Sequence, residues 1–243
     1  MSNVVLITGA SRGIGAATAE LLANKGFAVA ANYRVNSEKA QQLVDKIIAL
    51  GGKAIAVQAD VSDEEQVINL FNEVEERLGK VTHLVNNAGI LFQQTTLVNV
   101  ELERFNKVMQ VNVTSCFLCC REYLRRNPGP GAIVNVSSVA ARLGAPFEYV
   151  DYAASKGAIE SLTKGLAMEV AAQGVRVNAV CPGLIYTDMH ADGGEPGRVD
   201  RVAPNLPLKR GGQAVEVAEA IYWLLSEQAS YVTGSCLDVA GGR

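Results

Sequence analysis

Along the whole chain, short apolar runs alternate with amphipathic stretches of helical period, and no linker or low-complexity segment interrupts them. The apolar runs fall at 4–8, 27–33, 53–59, 83–87, 132–137, 175–180 and 236–240. Each is nearly continuous in Val, Ile and Ala, the pattern of strands covered on both faces. Helical periods fill 15–25, 37–50, 63–78, 101–126, 152–173 and 214–227. Ser37 and Ser62 stand where N-caps belong, and Gly26, Gly51, Gly79 and Gly174 where helices end. Strand, helix, strand repeated in this way requires crossover connections, which are right-handed. The expected fold class is therefore α/β: a doubly wound, parallel, seven-stranded sheet with helices on both faces, Rossmann-like, in one domain over 1–243.

Composition agrees with a folded interior. Of 243 residues 49% are hydrophobic and only 19% charged, so the chain can bury a large core without disulfides or metal. Basic and acidic side chains number 22 and 25, a net charge of -3, which gives no reason to expect nucleic acid as a partner. No window is apolar for the length of a membrane span, and the first residues lack the charged start and apolar run of a secretory signal, so a cytoplasmic protein is expected. Cys116, Cys119 and Cys120 share one apolar helical segment with no histidine beside them. They read as small buried hydrophobes, and no metal site is expected.

In a doubly wound sheet the ligand lies at the carboxyl ends of the strands. The first strand runs into Thr8, Gly9, Ala10, Ser11, Arg12, Gly13, Ile14 and Gly15, and then into a helix. Glycines let such a turn approach a pyrophosphate, whose charge is met by free N–H groups at the helix start. The spacing is G-x-x-x-G-x-G rather than G-x-G-x-x-G. The second strand ends in Tyr33 and Arg34, where an NAD-binding chain would place a carboxylate for the ribose. A guanidinium there pairs with a 2′-phosphate, and Arg12 is a second cation for it, so NADP is expected over NAD. Asp60 and Val61 follow the third strand, placed for the adenine edge, with a helix-start carboxylate as the competing explanation. Asn86 reads as a tie between strands. Asn87, Ala88 and Gly89 leave room for a cofactor close to the backbone.

One further helix carries a reactive pair. Tyr152 and Lys156 are four apart and share a helical face. A phenol of pKa about 10 needs roughly 4 kcal/mol of differential stabilisation to titrate near 7, and an ammonium within about 4–6 Å is the expected source. Tyr149 lacks a lysine four positions on. Ser138, after the fifth strand, reaches the same sheet edge, with Ser137 its neighbour. Asn112 is a polar residue in an apolar stripe and needs a partner if buried.

With these residues in place the chain resembles the short-chain dehydrogenase/reductase family over essentially its full length. The matching marks are Thr8-Gly9-x-x-x-Gly13-Ile14-Gly15, Asp60-Val61, Asn86-Asn87-Ala88-Gly89, Asn112, Ser138, Tyr152-x-x-x-Lys156 and Pro182-Gly183-x-x-x-Thr187. The resemblance implies proton transfer by Tyr152 coupled to hydride transfer at a nicotinamide. It implies that Ser138 orients the carbonyl, that Lys156 lowers the phenol pKa and holds the nicotinamide ribose, and that Asn112 anchors a water. Thr187 and the Ile185 backbone would hold the carboxamide. Ser138 lies fourteen positions before Tyr152, one more than is usual in the family, which suggests an inserted residue within 147–151.

From 183 to 212 periodicity fades and Pro196, Pro204 and Pro207 gather with Gly193, Gly194 and Gly197, as in a substrate lid. Its Met189 and Leu206 offer apolar contact; His190, Asp192, Glu195 and Arg198 offer polar contact, His190 being expected in solvent. The expected reaction interconverts a carbonyl and a secondary alcohol on a small diffusible substrate such as a sugar, polyol or ketone. The alternative is a 3-oxoacyl-acyl-carrier-protein reductase. Against it, Gln173 and the Pro128-Gly129-Pro130 turn occupy places where basic residues for the carrier are expected, although Arg125 and Arg126 are near. A non-catalytic NADP-binding sensor has no need of Ser138, Tyr152 and Lys156 together, a nucleotide-sugar epimerase usually needs a larger substrate domain, and a structural scaffold would be favoured by absent NADPH binding. The apolar helices 101–126 and 153–172, and the segment 231–234 with the last strand, are expected to pair between subunits of a homotetramer, by analogy with the family.

Overall fold

Burial on both faces shapes every central strand. In the computed structural model, which describes residues 3–126 and 129–243, β1 (Val4–Ile7), β2 (Ala28–Tyr33), β3 (Lys53–Gln58), β4 (His83–Asn86), β5 (Gly131–Val136), β6 (Val175–Pro182) and β7 (Cys236–Val239) form one parallel sheet in the order β3-β2-β1-β4-β5-β6-β7. Pro128, named above, lies outside the described residues. Side chains alternate across the sheet. Val4 and Leu6 join the core under α3 (Glu64–Leu78), α5 (Ser115–Arg126) and α7 (Val150–Val170), while Val5 and Ile7 join the core under α1 (Gly13–Asn24), α2 (Ser37–Ala49) and α10 (Ala214–Leu225). The strand order reverses between β1 and β4, and such a reversal opens a crevice at the strand ends. No helix among the described residues is long and apolar enough to cross a membrane.

Several local expectations are corrected. Asn36, not Ser37, takes the N-cap position of α2. Ser62 belongs to a turn closed by Asp60, so α3 is capped by Asp63, whose side chain accepts from the Gln66 N–H at 3.0 Å. The stretch 101–126 is not one α-helix: α4 (Leu102–Met109) passes through a π turn (Gln110–Thr114) into α5. The stretch 183–212 holds two short helices, α8 (Met189–Asp192) and α9 (Arg198–Val202), and a further one, α6 (Ala140–Leu143), follows β5. Ala145 and Phe147 sit at positive φ in the loop before α7.

Candidate active site

The glycine turn is stitched to the end of β4. Thr8 Oγ1 accepts from the Asn87 and Ala88 N–H groups, both at 3.0 Å, and Asn87 Nδ2 donates to the Thr8 and Gly9 carbonyls at 2.9 and 3.0 Å. Gly9 has φ 62°, and a Cβ there would lie 3.0 Å from Ala88 Cα. At Gly15 a Cβ would come within 2.6 Å of Asn87 Nδ2, so this glycine is fixed by packing. At Gly13 a Cβ would meet Thr187 Cγ2 at 3.4 Å, which places the β6 loop against the turn. Asn32 ties the turn to β2 and β3: its Oδ1 accepts from Gly9 N at 3.3 Å and its Nδ2 donates to the Ala59 carbonyl at 3.1 Å.

A crevice runs from this turn along the strand ends. Ser11, Arg12, Gly13 and Ile14 line one side, Arg34, Asp60 and Val61 the far end, and Ala88, Gly89 and Thr187 the other. These residues fit an extended dinucleotide, because the turn has no room for side chains and presents backbone. Both expected phosphate cations already have carboxylate partners. Arg34 lies 3.5 Å from Asp60, and Arg12 bonds Asp192 at 2.5 Å with Asp188 at 3.7 Å. Lys39, a third cation missed in the sequence, stands 3.5 Å from Asp188. Burial works against the charge of Asp60, but hydrogen bonds from Ser62 and the Arg34 guanidinium hold its carboxyl below the usual range. Its Oδ1 closes the turn before α3, accepting from Ser62 N at 3.0 Å and Ser62 Oγ at 2.7 Å. Asp60 is thus a turn carboxylate and not the helix-start carboxylate of the competing explanation, since Asp63 caps α3.

Ile14, Asn87, Thr187 and Met189 are common to this crevice and a second chamber, which contains Ser138, Tyr152, Lys156 and Ile185. Tyr152 and Lys156 are both buried on one face of α7. Ser138 Oγ lies 3.4 Å from the Pro182 carbonyl, near enough to the Tyr152 phenol to act on its pKa. Lys156 Nζ donates to the Val136 carbonyl at 2.8 Å. Burial pushes the Tyr152 phenol up to about 12, a shift the Ser138 hydroxyl only partly offsets, and it pushes the Lys156 ammonium down to about 8. The expected lowering of the phenol by Lys156 is thus not found. Desolvation dominates the phenol, and Lys156 Nζ stands 5.5 Å from the ring centre.

Asn112 is buried in the π turn and fully engaged. Its Oδ1 accepts from Ile90 N at 2.8 Å, and its Nδ2 donates to the Ile90 carbonyl and to Ser155 Oγ, both at 3.0 Å. Ser155 Oγ in turn donates to the Tyr152 carbonyl at 2.6 Å. The side chain expected to anchor a water therefore anchors the loop after Gly89 and the first turn of α7. A Cβ on Gly89 would lie 3.4 Å from Asn112 Oδ1 and 3.5 Å from Lys156 Nζ, so the three meet closely. Ser137 turns its hydroxyl to the Lys156 carbonyl at 3.1 Å.

The loop before α7 and the segment after β6 close over the chamber. Arg198 of α9 donates to both Glu148 oxygens, at 2.7 and 2.5 Å, and its guanidinium stands 5.3 Å from the Tyr149 ring centre. Tyr149 is buried in the chamber wall, its hydroxyl 3.5 Å from the Gly193 carbonyl. His190 lines the chamber with Nε2 3.0 Å from the Ile185 carbonyl, and burial, then Arg198, lower its pKa; it is not the solvated residue expected. Arg126 is held by Glu122 at 2.6 Å and Glu75 at 3.0 Å.

Comparison with known proteins agrees with this geometry. The profile of a family described as "Enoyl-(Acyl carrier protein) reductase" matches residues 9–243. The chain is 61% identical to an uncharacterized oxidoreductase, YgfF, of Escherichia coli K12, covering 99% of each. It is 41% identical to a 3-oxoacyl-[acyl-carrier-protein] reductase of Synechocystis, covering 99% of this chain and 96% of that one. A dehydrogenase/reductase crystal structure from Sinorhizobium meliloti superposes with a TM-score of 0.93 at 35% identity, covering 100% and 95%. The fold and the relatives define an oxidoreductase. The chain belongs to the short-chain dehydrogenase/reductase family.

Proposed function

We propose that this chain is an NADP-dependent oxidoreductase that interconverts a carbonyl and a secondary alcohol, acting on a small diffusible substrate such as a sugar, polyol or ketone. The observation that carries this reading is the Tyr152 phenol, near Ser138 and one helical turn before Lys156, in a chamber that opens into the glycine crevice. A bound nicotinamide dinucleotide supplies or accepts the hydride. Gly9, Ser11, Gly13, Gly15 and Ile14 would cradle it, Asp60 and Val61 would meet its adenine, and Asn87, Ala88, Gly89, Ile185 and Thr187 would hold its nicotinamide half. Arg34, Arg12 and Lys39 are the cations for its 2′-phosphate.

In reduction Tyr152 gives its proton to the carbonyl oxygen, and in oxidation it takes that proton back. A phenol at about 12 is protonated at neutral pH, the form reduction requires. Ser138 orients the carbonyl beside the phenol. Lys156, at about 8, is mostly an ammonium at neutral pH and fixes the same corner through Val136. Asn112 positions Tyr152 through Ser155.

The small-substrate reading is supported by the clasp of Arg198 on Glu148 over the chamber and by the internal pairing of Arg126, which withdraws it from an acidic carrier. A second reading, reduction of 3-oxoacyl thioesters on acyl carrier protein, is favoured by the names of relatives at 41% and 37% identity. Both are tested by one screen of sugars, polyols, ketones and acetoacetyl thioesters on carrier protein and coenzyme A, with NADPH and NADH, beside Tyr152→Phe. Turnover of small carbonyls above the thioesters is expected, with loss in Tyr152→Phe of about 10²-fold or more. Exclusive turnover of the carrier thioester selects the second reading, and full activity in Tyr152→Phe ends both.

A further inference from the structure

Three groups that the reaction does not use converge beside α7. The side chains of Val175 and Val177 on β6 pack into the core under α7, and Cys181, of the same parity, points the same way. In the β6–β7 register Ala179 stands opposite Cys236 and Cys181 opposite Asp238, so Cys236 shares that face. Glu160, one turn beyond Lys156 on α7, reaches down to both. Cys181 Sγ donates to Glu160 Oε1 at 3.2 Å, Cys236 hydrogen-bonds Cys181, and the three ligand atoms all lie within 4.8 Å of one another. None of the three side chains lines the substrate chamber or the glycine crevice.

We infer that Cys181, Cys236 and Glu160 form a binding site for a thiophilic d10 cation, zinc, that fastens the sheet edge β7 to α7. In a tetrahedral zinc site with bonds of about 2.3 Å to sulfur and 2.0–2.2 Å to oxygen, ligand atoms stand about 3.5–3.8 Å apart. The observed cluster closes to that size with shifts of about 1 Å or less. Two thiols with one carboxylate form a soft, mixed donor set that suits zinc and not magnesium or calcium. The carboxylate has an outer-shell partner of its own: Ser137 Oγ donates to Glu160 Oε1 at 3.3 Å. Cys236 is partly exposed on the edge strand, which leaves water the fourth position.

The charged groups facing the cluster are Arg142, Lys164 and Asp238, and Arg142 is engaged by Asp238 instead of by the three ligands. Cys116, Cys119 and Cys120 make no comparable set, because their polar neighbours are the Asn86 and Asn135 amides. Glu160, Cys181 and Cys236 are far apart in the chain, which hides the site from motif reading.

The test uses the full-length protein, reduced and stripped with chelator, titrated with zinc chloride and with cadmium chloride as a spectroscopic probe. One equivalent per chain is expected, with a thiolate-to-cadmium charge-transfer band and zinc retained in native mass spectrometry. Binding should weaken about 100-fold or more in Cys181→Ser and Cys236→Ser and about 10-fold in Glu160→Gln, and stay unchanged in Cys116→Ala. Because two thiol protons leave on binding, affinity should rise about 100-fold per pH unit while both thiols are protonated. At a hundredfold excess over Kd zinc should raise the Tm by about 5 °C, and this rise should vanish in Cys236→Ser, whose edge-strand position tolerates the change. Failure of the reduced wild type to take up zinc, or uptake that persists in Cys236→Ser, overturns the inference. Neither result touches the reading of Tyr152, which rests on turnover.

Discussion

The Lys156 ammonium stands 5.5 Å from the centre of the Tyr152 ring and spends its hydrogen bond on the Val136 carbonyl at 2.8 Å. The cation therefore faces the ring and the end of β5, and the side chain that lowers the phenol pKa is that of Ser138. Burial dominates both partners, in opposite directions on the pH scale: the phenol is kept neutral, and the ammonium is made easier to deprotonate.

That arrangement has a stability signature. Lys156 has a folded pKa of about 8 against an ordinary 10.5, so between those values the unfolded chain binds the proton and the folded chain does not. Stability due to this group then rises with pH from about 8 to 10.5 and is lowest below 8. Lys156→Met should abolish turnover yet match or exceed the wild-type Tm at pH 7, and the difference should shrink as pH rises toward 10. Thermal melts of both proteins without cofactor across that range check it. A mutant deficit that grows with pH would mean that the bond to Val136 outweighs the buried charge.

At the cofactor end, Arg12 is shared with Asp192 and Asp188, and Lys39 with Asp188, so a 2′-phosphate has to compete with carboxylates of the 183–212 segment. Exposed pairs of this kind contribute up to about 1 kcal/mol, which converts to about fivefold in affinity. Asp192→Asn should tighten NADPH by about two- to fivefold and leave NADH unchanged. Arg34→Ala should weaken NADPH by about 10- to 100-fold and NADH by far less. Fluorescence titration with both cofactors decides: equal effects on the two would remove the phosphate from this corner.

The central strands were legible because a parallel strand covered on both faces is mainly apolar, as β1 is throughout and β2 is up to Asn32. The reacting residues were legible because a helix fixes the spacing of Tyr152 and Lys156. What the sequence hid is conformational or long-range. The π turn at Asn112 differs from its neighbours only in which carbonyl each N–H meets, and a polar residue in an apolar stripe was its single trace. Helices α8 and α9 are too short for a period to show. The Asp60 turn displaced the cap from Ser62 to Asp63 through a local hydrogen bond that competes with the helix start. Arg12 with Asp192 and Arg198 with Glu148 join segments far apart in the chain, and no periodicity records such pairs.

Large apolar side chains remain exposed at both places expected to pair between subunits: Leu102, Phe117 and Met168 on α4, α5 and α7, and Tyr231 before β7. Exposed apolar groups of this kind are candidate subunit contacts, and two distinct interfaces are what a tetramer requires. Sedimentation of the wild type should give a tetramer, and Phe117→Asp on the helix pair or Tyr231→Asp beside β7 should each give a dimer through the interface that survives. A monomeric wild type would refute the assembly.

The clasp over the chamber joins the loop before α7 to α9. Arg198 is buried, bonds both oxygens of Glu148 and stands over Tyr149, and its pKa is raised first by the Glu148 hydrogen bonds. A paired guanidinium in this setting couples to its carboxylate by about 1–3 kcal/mol, and removal of one partner strands the other. Glu148→Gln keeps the shape with one acceptor and should raise KM by about three- to tenfold with little change in kcat. Arg198→Met removes the clasp and the contact over Tyr149 together; KM should rise by about tenfold or more and the 189–202 segment should become a site of limited proteolysis. Because each single change already breaks the pair, the double variant should be no worse than Arg198→Met alone, a coupling of about 1–3 kcal/mol in a double-mutant cycle on kcat/KM. Additive effects with an undiminished resistance to protease would show that Arg198 packs the 189–202 segment without latching it to Glu148.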